Sequence, residues 1–269
     1  MAFDSQRNRV VLFGGYGENP SRARGDTWEW DGVDWSKRSD VGPSARSFAG
    51  MVYDANRKKV VLFGGSGNDD TWVWDGTEWR LLEVTAKPPG RSRPALAYDS
   101  SRKKVILFGG RFLNDLWELE GLEWVKLTVA GPAYRASTMV FDSARNVTLL
   151  FGGDGTNTLN DTWLWNGLAW ANPSPAASPR ERYNYAMAFD SVRNKAVLFG
   201  GRDYLEYDDG QTWEWNGVTW TYLAIGGPEP RSEAAMAFDS KRGRCVLFGG
   251  GAFTSTSSTY FDETWEYDP

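Results

Sequence analysis

The sequence predicts an all-β protein built from six repeats of four short antiparallel strands, and three observations carry that expectation. The phrase Val11-Leu12-Phe13-Gly14-Gly15 returns five more times in close variants, with its first glycine at positions 14, 64, 109, 152, 200 and 249. These spacings of 43 to 50 residues fall in the range of architectures whose units stack on one another. Each unit is also a set of short β-branched and aromatic runs punctuated by Gly, Asp and Asn, and all 15 tryptophans stand at equivalent repeat positions. The 269 residues are therefore expected to form one domain, 1–269, with repeats at approximately 1–45, 46–90, 91–134, 135–181, 182–230 and 231–269.

Residues 46–83 show the elements of one unit. Ser47 to Tyr53 is a short apolar run, strand a, and Asp54-Ala55-Asn56-Arg57 ends it with turn chemistry. Strand b, Lys59 to Phe63, closes on Gly64-Gly65, where the backbone needs freedom to bend. Strand c is Thr71-Trp72-Val73-Trp74, and Asp75-Gly76 favours a tight two-residue link to strand d, which starts at Trp79. The a–b turn begins with Asp4, Asp54, Asp99, Asp142, Asp190 or Asp239, each followed three residues later by an arginine that lies nearby.

Residue size rises along each unit, from Ala and Met in strand a, through Val, Leu and Phe in strand b, to Trp in strands c and d. Sheets standing radially around an axis leave wedge-shaped gaps, narrow inside and wide outside, and this order fills them. A tryptophan repeated at every equivalent site is a packing element rather than a sugar platform.

Composition removes several functions. A net charge of −5, with both signs interspersed, argues against nucleic-acid and anionic-membrane partners. No stretch approaches the roughly 20 apolar residues of a membrane span. Histidine is absent, which excludes Ser-His-Asp and Cys-His nucleophiles and imidazole metal ligands. The lone Cys245 stands where other repeats carry Val, Thr or Ala, so it reads as a core-filling thiol.

An apolar strand ending in two glycines, a Trp or Tyr pair in the next strand, the Gly and Trp of the following hairpin and an Arg opening the next unit together resemble the kelch-repeat β-propellers. The Asp26-Thr27-Trp28-Glu29-Trp30-Asp31-Gly32 wording is similar to bacterial members of that family. The resemblance covers essentially the whole chain and implies a six-bladed β-propeller of four-stranded antiparallel blades around a central channel. Two departures stand out: the first unit begins inside strand a, and the sixth ends just after strand c, so the last blade lacks its outer strand. The chain is thus expected to be a segment of a longer protein with further domains, or to carry a three-stranded last blade whose exposed edge can pair with another chain. The compartment is left open, a secreted or cell-surface bacterial parent being compatible with the sequence.

Alternation of strand direction puts the a–b and c–d turns on one face and the b–c and d–a loops on the other. The second set varies in length and content, as binding loops on a rigid scaffold do. From the b–c loops we select Tyr16, Phe112, Arg202, Tyr204 and Phe253 as candidate ligand contacts. From the segments entering strand a come Arg46, Arg91, Arg135, Arg182 and Arg231, able either to hold an anionic group or to pair within the scaffold, with Tyr183 and Tyr185 beside them. Asp203, Asp208 and Asp209 offer oxygen ligands of a calcium kind without the spacing of a defined calcium loop; no other cofactor is implied and no catalytic residue is assigned. The expected function is a non-catalytic binding or scaffold module that recognises a protein or peptide, or a glycan, through this face. The alternatives are a carbohydrate-active enzyme using carboxylate, Tyr and Arg groups at the channel mouth, and a purely architectural repeat domain.

Overall fold

Each repeat folds into an antiparallel sheet because side chains within its turns hold them. The structure, a computed structural model, describes residues 1–18, 21–224, 226–254 and 256–268. In the first unit Asp4 Oδ1 accepts the Gln6 and Arg7 backbone N–H groups at 3.0 and 3.1 Å, and Asp4 Oδ2 accepts Arg7 Nε at 2.7 Å. The same Asx turn recurs at Asp54, Asp99, Asp142, Asp190 and Asp239.

The strands run Ala2–Asp4, Arg9–Glu18, Ser21–Trp30 and Trp35–Ser39 in blade 1, and Gly50–Asp54, Lys59–Phe63, Thr71–Trp74 and Trp79–Leu81 in blade 2. Blade 3 has Ala95–Asp99, Lys104–Gly110, Leu113–Glu120 and Glu123–Leu127; blade 4 has Ala136–Asp142, Val147–Asp154, Thr158–Trp165 and Trp170–Ala171. Blade 5 has Ala186–Asp190, Lys195–Phe199, Thr212–Trp215 and Trp220–Leu223, and blade 6 has Ala235–Asp239, Arg244–Phe248 and Thr264–Tyr267. Spatial order follows chain order in every blade. Strand a of each blade touches strand a of the next, and Ala2–Asp4 meets Ala235–Asp239 to close the ring. Among the described residues the molecule is a six-bladed β-propeller whose last blade has three strands.

Two local expectations are corrected. Among the described residues the tight c–d link forms only in blade 3, where Glu120 pairs with Glu123; elsewhere the strands close on pairs such as Trp30 with Trp35 and Trp215 with Trp220. The first residue of the turn explains the difference, since Asp31 Oδ1 accepts the N–H groups of both Val33 and Asp34 and Asn216 Oδ1 those of Val218 and Thr219. The b–c connections of blades 1 and 4 are likewise not loose loops, because strands b and c continue past a register shift at Phe13/Gly15 and Phe151/Gly153.

The core lies between blades. Each strand-d tryptophan reaches into the preceding blade, as Trp79 does with its ring centroid 5.3 Å from Phe13 and its Nε1 donating to Thr27 Oγ1 at 2.8 Å. Trp124, Trp220 and Trp35 repeat this on Phe63, Phe151 and Phe248 and on Thr71, Thr162 and Thr264. Trp35 thereby closes blade 1 on blade 6, helped by Trp30 Nε1 donating to Glu266 at 3.3 Å.

The glycine pairs and the arginines that open each unit form a second interlock. Gly14 stands at φ +64°, and a Cβ there would lie 2.5 Å from the Arg46 carbonyl oxygen, which accepts the Gly15 N–H at 2.9 Å. Gly65, Gly110, Gly153 and Gly201 donate in the same way to Arg91, Arg135, Arg182 and Arg231 at 2.9 to 3.0 Å. The arginine side chain then turns into its own blade. Arg46 Nη1 donates to Gly64 O at 3.0 Å, and its guanidinium holds Asp70, whose Oδ2 also accepts Trp72 Nε1 at 2.7 Å. Arg91 with Asp115 and Trp117, and Arg135 with Asp161 and Trp163, repeat the arrangement.

Burial pushes the Asp70 and Asp115 carboxyls up, but the hydrogen bonds from the arginine and tryptophan together outweigh it and hold both below the usual carboxylate range. A carboxylate depressed on folding adds stability that is complete above its unfolded pKa, about 3.9, and is lost as pH falls through the folded value. The melting temperature should therefore drop as pH is lowered from 5 to 2, and Asp115→Asn should lower it at pH 6 while flattening that slope; an unchanged slope would remove this carboxylate from the acid response. Trp220→Ala should cost about 3–5 kcal/mol in denaturant unfolding. Trp163→Ala, at a half-buried site, should cost less, and equal losses would contradict the assignment of the core to strand-d residues.

Candidate functional site

Two residues beyond each of these arginines the repeat leaves a position that varies in every unit: Phe48, Arg93, Ser137, Asn184 and Glu233. Four of the five are left-handed, with φ of 59° at Phe48, 55° at Arg93, 55° at Asn184 and 62° at Glu233. Left-handed backbone at a residue carrying a Cβ costs of order 1–3 kcal/mol and persists only where its surroundings enforce it. Here neighbouring blades do so, with Arg93 N–H donating to Phe48 O at 2.9 Å and Glu233 N–H to Asn184 O at 2.8 Å.

All five side chains line a cavity of about 350 Å³ at the mouth of the central channel. Arg93 of blade 3 spans the axis to the opposite blade, where its Nη2 donates to Glu233 Oε1 at 2.9 Å; Asn184 Nδ2 donates to the same oxygen at 3.0 Å. The Arg93 guanidinium lies 3.8 Å above the Phe48 ring, and its buried Nε meets no acceptor among the described residues. Burial pushes the Glu233 carboxyl up, and its attraction to Arg93 only partly offsets the shift.

Aromatic residues from the b–c connections of blades 1 and 6 make the rim. Tyr16 faces Tyr260 at 6.3 Å between ring centroids, and Tyr260 meets Phe253 edge-on at 5.5 Å. Phe253 sits on the hairpin Gly251–Phe253 with Ser258–Tyr260, and its N–H is fixed by Asp208 Oδ2 at 2.6 Å. Behind it the Arg202 guanidinium lies 5.8 Å from the ring, on a backbone paired with Tyr183 through bonds of 2.8 and 2.9 Å. Of the candidates read from sequence, Tyr16 and Phe253 line the cavity directly, with Arg202 and Tyr183 beside them.

Of the others, Arg46 and Tyr185 contribute largely buried atoms to the cavity wall, and the rest are not among the residues that line it. Arg46, Arg91, Arg135, Arg182 and Arg231 are 1 to 3% exposed, and their guanidinium groups are taken up by Asp70, Asp115, Asp161, Asp209 with Gln211, and Glu263. Of the two roles open to them, the structure shows scaffold pairing. Tyr185 is buried, its hydroxyl bonded to Ser137 and Phe151 O, and burial pushes its pKa up to about 12. Phe112 and Tyr204 are exposed on outer loop segments away from the cavity.

The three aspartates considered for calcium face different partners. Asp203 accepts the Leu205 and Tyr207 N–H groups, Asp208 that of Phe253, and Asp209 that of Gln211. Among the described residues no group of three carboxylate or thiol ligands converges on a metal position. Cys245 is buried between blades 5 and 6, and burial pushes its thiol pKa up.

Sequence reasoning missed Phe48, Arg93, Ser137 and Asn184. The signal available was their variability at a position whose neighbours repeat.

Comparison with known proteins bears on the fold alone. No protein-family model and no curated protein matches the chain. Among 322 matching chains of solved structures is one described as "Structure of YjhT", with a TM-score of 0.71 and 12% identity, covering 96% of this chain and 90% of that one. At that identity the likeness is one of fold, and the chain shares the overall architecture of this solved structure.

Proposed function

We propose that this chain is a kelch-type propeller acting as a non-catalytic binding module, and that it takes an exposed segment of a partner protein or peptide at the channel mouth. The observation that carries the proposal is the set of four left-handed residues, Phe48, Arg93, Asn184 and Glu233, which bring non-repeating side chains together over the axis. Strain held at one place by a rigid frame is a mark of function. The mouth combines a guanidinium, an amide and a carboxyl with the Tyr16, Phe253 and Tyr260 rim, a mixture suited to a peptide side chain with an apolar body and a polar end.

Glu233 is the one carboxylate among the described residues lining this cavity. Glycoside hydrolysis by paired carboxylates needs two groups flanking the bond, so this composition favours binding over the enzymatic alternative. The kelch assignment rests on the six glycine pairs, the tryptophan sites and the opening arginines.

Affinity capture with immobilised protein, run beside a glycan array, tests the proposal. Arg93→Ala should weaken capture of a retrieved peptide by roughly 10- to 100-fold, as loss of a charged hydrogen bond does. Tyr204→Ala, outside the cavity, should leave it unchanged. Wild-type affinity in Arg93→Ala would overturn the site, and glycan ligands without peptide ligands would overturn the partner class.

A further inference from the structure

Three hydrogen-bonding groups at the channel mouth are left over once its own side chains have paired. Arg93 Nη2 and Asn184 Nδ2 both donate to Glu233 Oε1, at 2.9 and 3.0 Å. The second bond fixes the orientation of the Asn184 amide, because its nitrogen is the end that must face a carboxylate. What remains is Arg93 Nη1, a donor, beside Asn184 Oδ1 and Glu233 Oε2, both acceptors, and none of the three meets a hydrogen-bond partner among the described residues. All three residues line the cavity, and the Arg93 and Glu233 side chains are 25 and 28% exposed, so neither is sealed from an entering group.

These groups are held in place and electrically balanced. The Arg93 guanidinium lies 3.8 Å above the Phe48 ring, and Arg93, Asn184 and Glu233 all sit on left-handed backbone. Arg93 and Glu233 neutralise each other, and Arg46, the other charged side chain lining the cavity, is paired with Asp70. No excess of either sign is left to offset the desolvation of an entering ion, which favours a neutral polar group. Around these groups the wall is apolar, with Leu12, Met51 and Ala235 below and the Tyr16, Phe253 and Tyr260 rings at the rim. One donor beside two acceptors at the end of an apolar passage is the complement of a primary carboxamide, which carries one acceptor oxygen and two N–H donors.

We infer that the partner segment enters the mouth with a glutamine side chain, an inference that rests on the peptide-binding function proposed above. The carboxamide oxygen accepts from Arg93 Nη1, the NH2 group donates to Glu233 Oε2 and Asn184 Oδ1, and the two methylenes pass between the rim rings. The same three groups discriminate against the nearest alternatives. A glutamate would set its carboxylate against Glu233 and leave two acceptors facing one another. A lysine would bring its ammonium against Arg93 and offer nothing to accept from Nη1. Each mismatch leaves a desolvated polar group unpaired or sets like charges together, which is how a site rejects a near neighbour of its ligand.

The probes are three libraries of short peptides, alike except for a fixed central Gln, Glu or Lys between randomised flanks, presented to the labelled 269-residue protein. The Gln library should be retained about tenfold or more tightly than either of the others. Glu233→Gln turns the acceptor facing the cavity into an N–H donor while an oxygen still accepts from Arg93 and Asn184. It should therefore move the preference to the Glu library, a reversal that a purely structural role for Glu233 would not produce. Wild-type retention of Glu or Lys peptides as strong as that of Gln peptides would overturn the carboxamide and leave the peptide-binding function intact, whereas retention of none of the three would overturn both. The wild-type comparison decides even if the variant fails to fold; an unchanged preference in a Glu233→Gln protein of wild-type melting temperature would overturn the pairing with Glu233.

Discussion

A carbonyl oxygen lodged against a glycine is the contact on which the rest of this propeller depends. The Arg46 carbonyl enters the space where Gly14 has no Cβ and accepts the Gly15 N–H, and four further blade junctions repeat the contact. Any larger residue at the first glycine would hold the blades apart, and the positive φ at the second disfavours a side chain there as well. Because the arginine side chain bonds back into its own blade, one residue ties two sheets together: its backbone reaches backward round the ring and its guanidinium forward.

That arrangement divides the upper face into two populations. The repeated charges are buried and paired, so they position the chain and leave little for a ligand. Two residues further on, the chain must reverse into strand a, and the left-handed turn that achieves this aims Phe48, Arg93, Asn184 and Glu233 over the channel. Rigidity from the repeating residues thus presents the non-repeating ones. The mouth is preorganised in consequence, with Arg93 already stacked on Phe48 and bonded to Glu233.

The architecture was legible because the signals that encode it are local and recur six times. Apolar strands, Asx turns, glycine pairs and tryptophans each imply the same unit, and agreement among them is strong. The c–d links were misread as two-residue turns because Asp-Gly is compatible with more than one loop, and the Asx hydrogen bonds select the wider one. At the site, sequence could not tell a free arginine from a paired one, since Asp70, the partner of Arg46, lies 24 residues along the chain. Nor do Phe48, Arg93 or Glu233 signal left-handed backbone by residue type; only Asn184 belongs to a class that adopts it readily. Their conformation is imposed by neighbouring blades, and only the folded ring reveals it.

The sixth junction differs and so serves as an internal control. Among the described residues, closure of blade 1 on blade 6 runs through Trp35 in the Phe248–Thr264 pocket, the Trp30 bond to Glu266 and the Arg242 Nη1 bond to Gly32 O at 3.4 Å. Native-state hydrogen exchange, resolved at the second glycine of each pair, therefore tests the interlock most directly. Gly65, Gly110, Gly153 and Gly201, donating to a neighbouring blade's carbonyl, should exchange only through global unfolding, while Gly250, whose N–H meets no such acceptor among the described residues, should exchange faster in the 269-residue protein. Exchange of the first four at the rate of the exposed loops would contradict the claim that this contact holds the blades together.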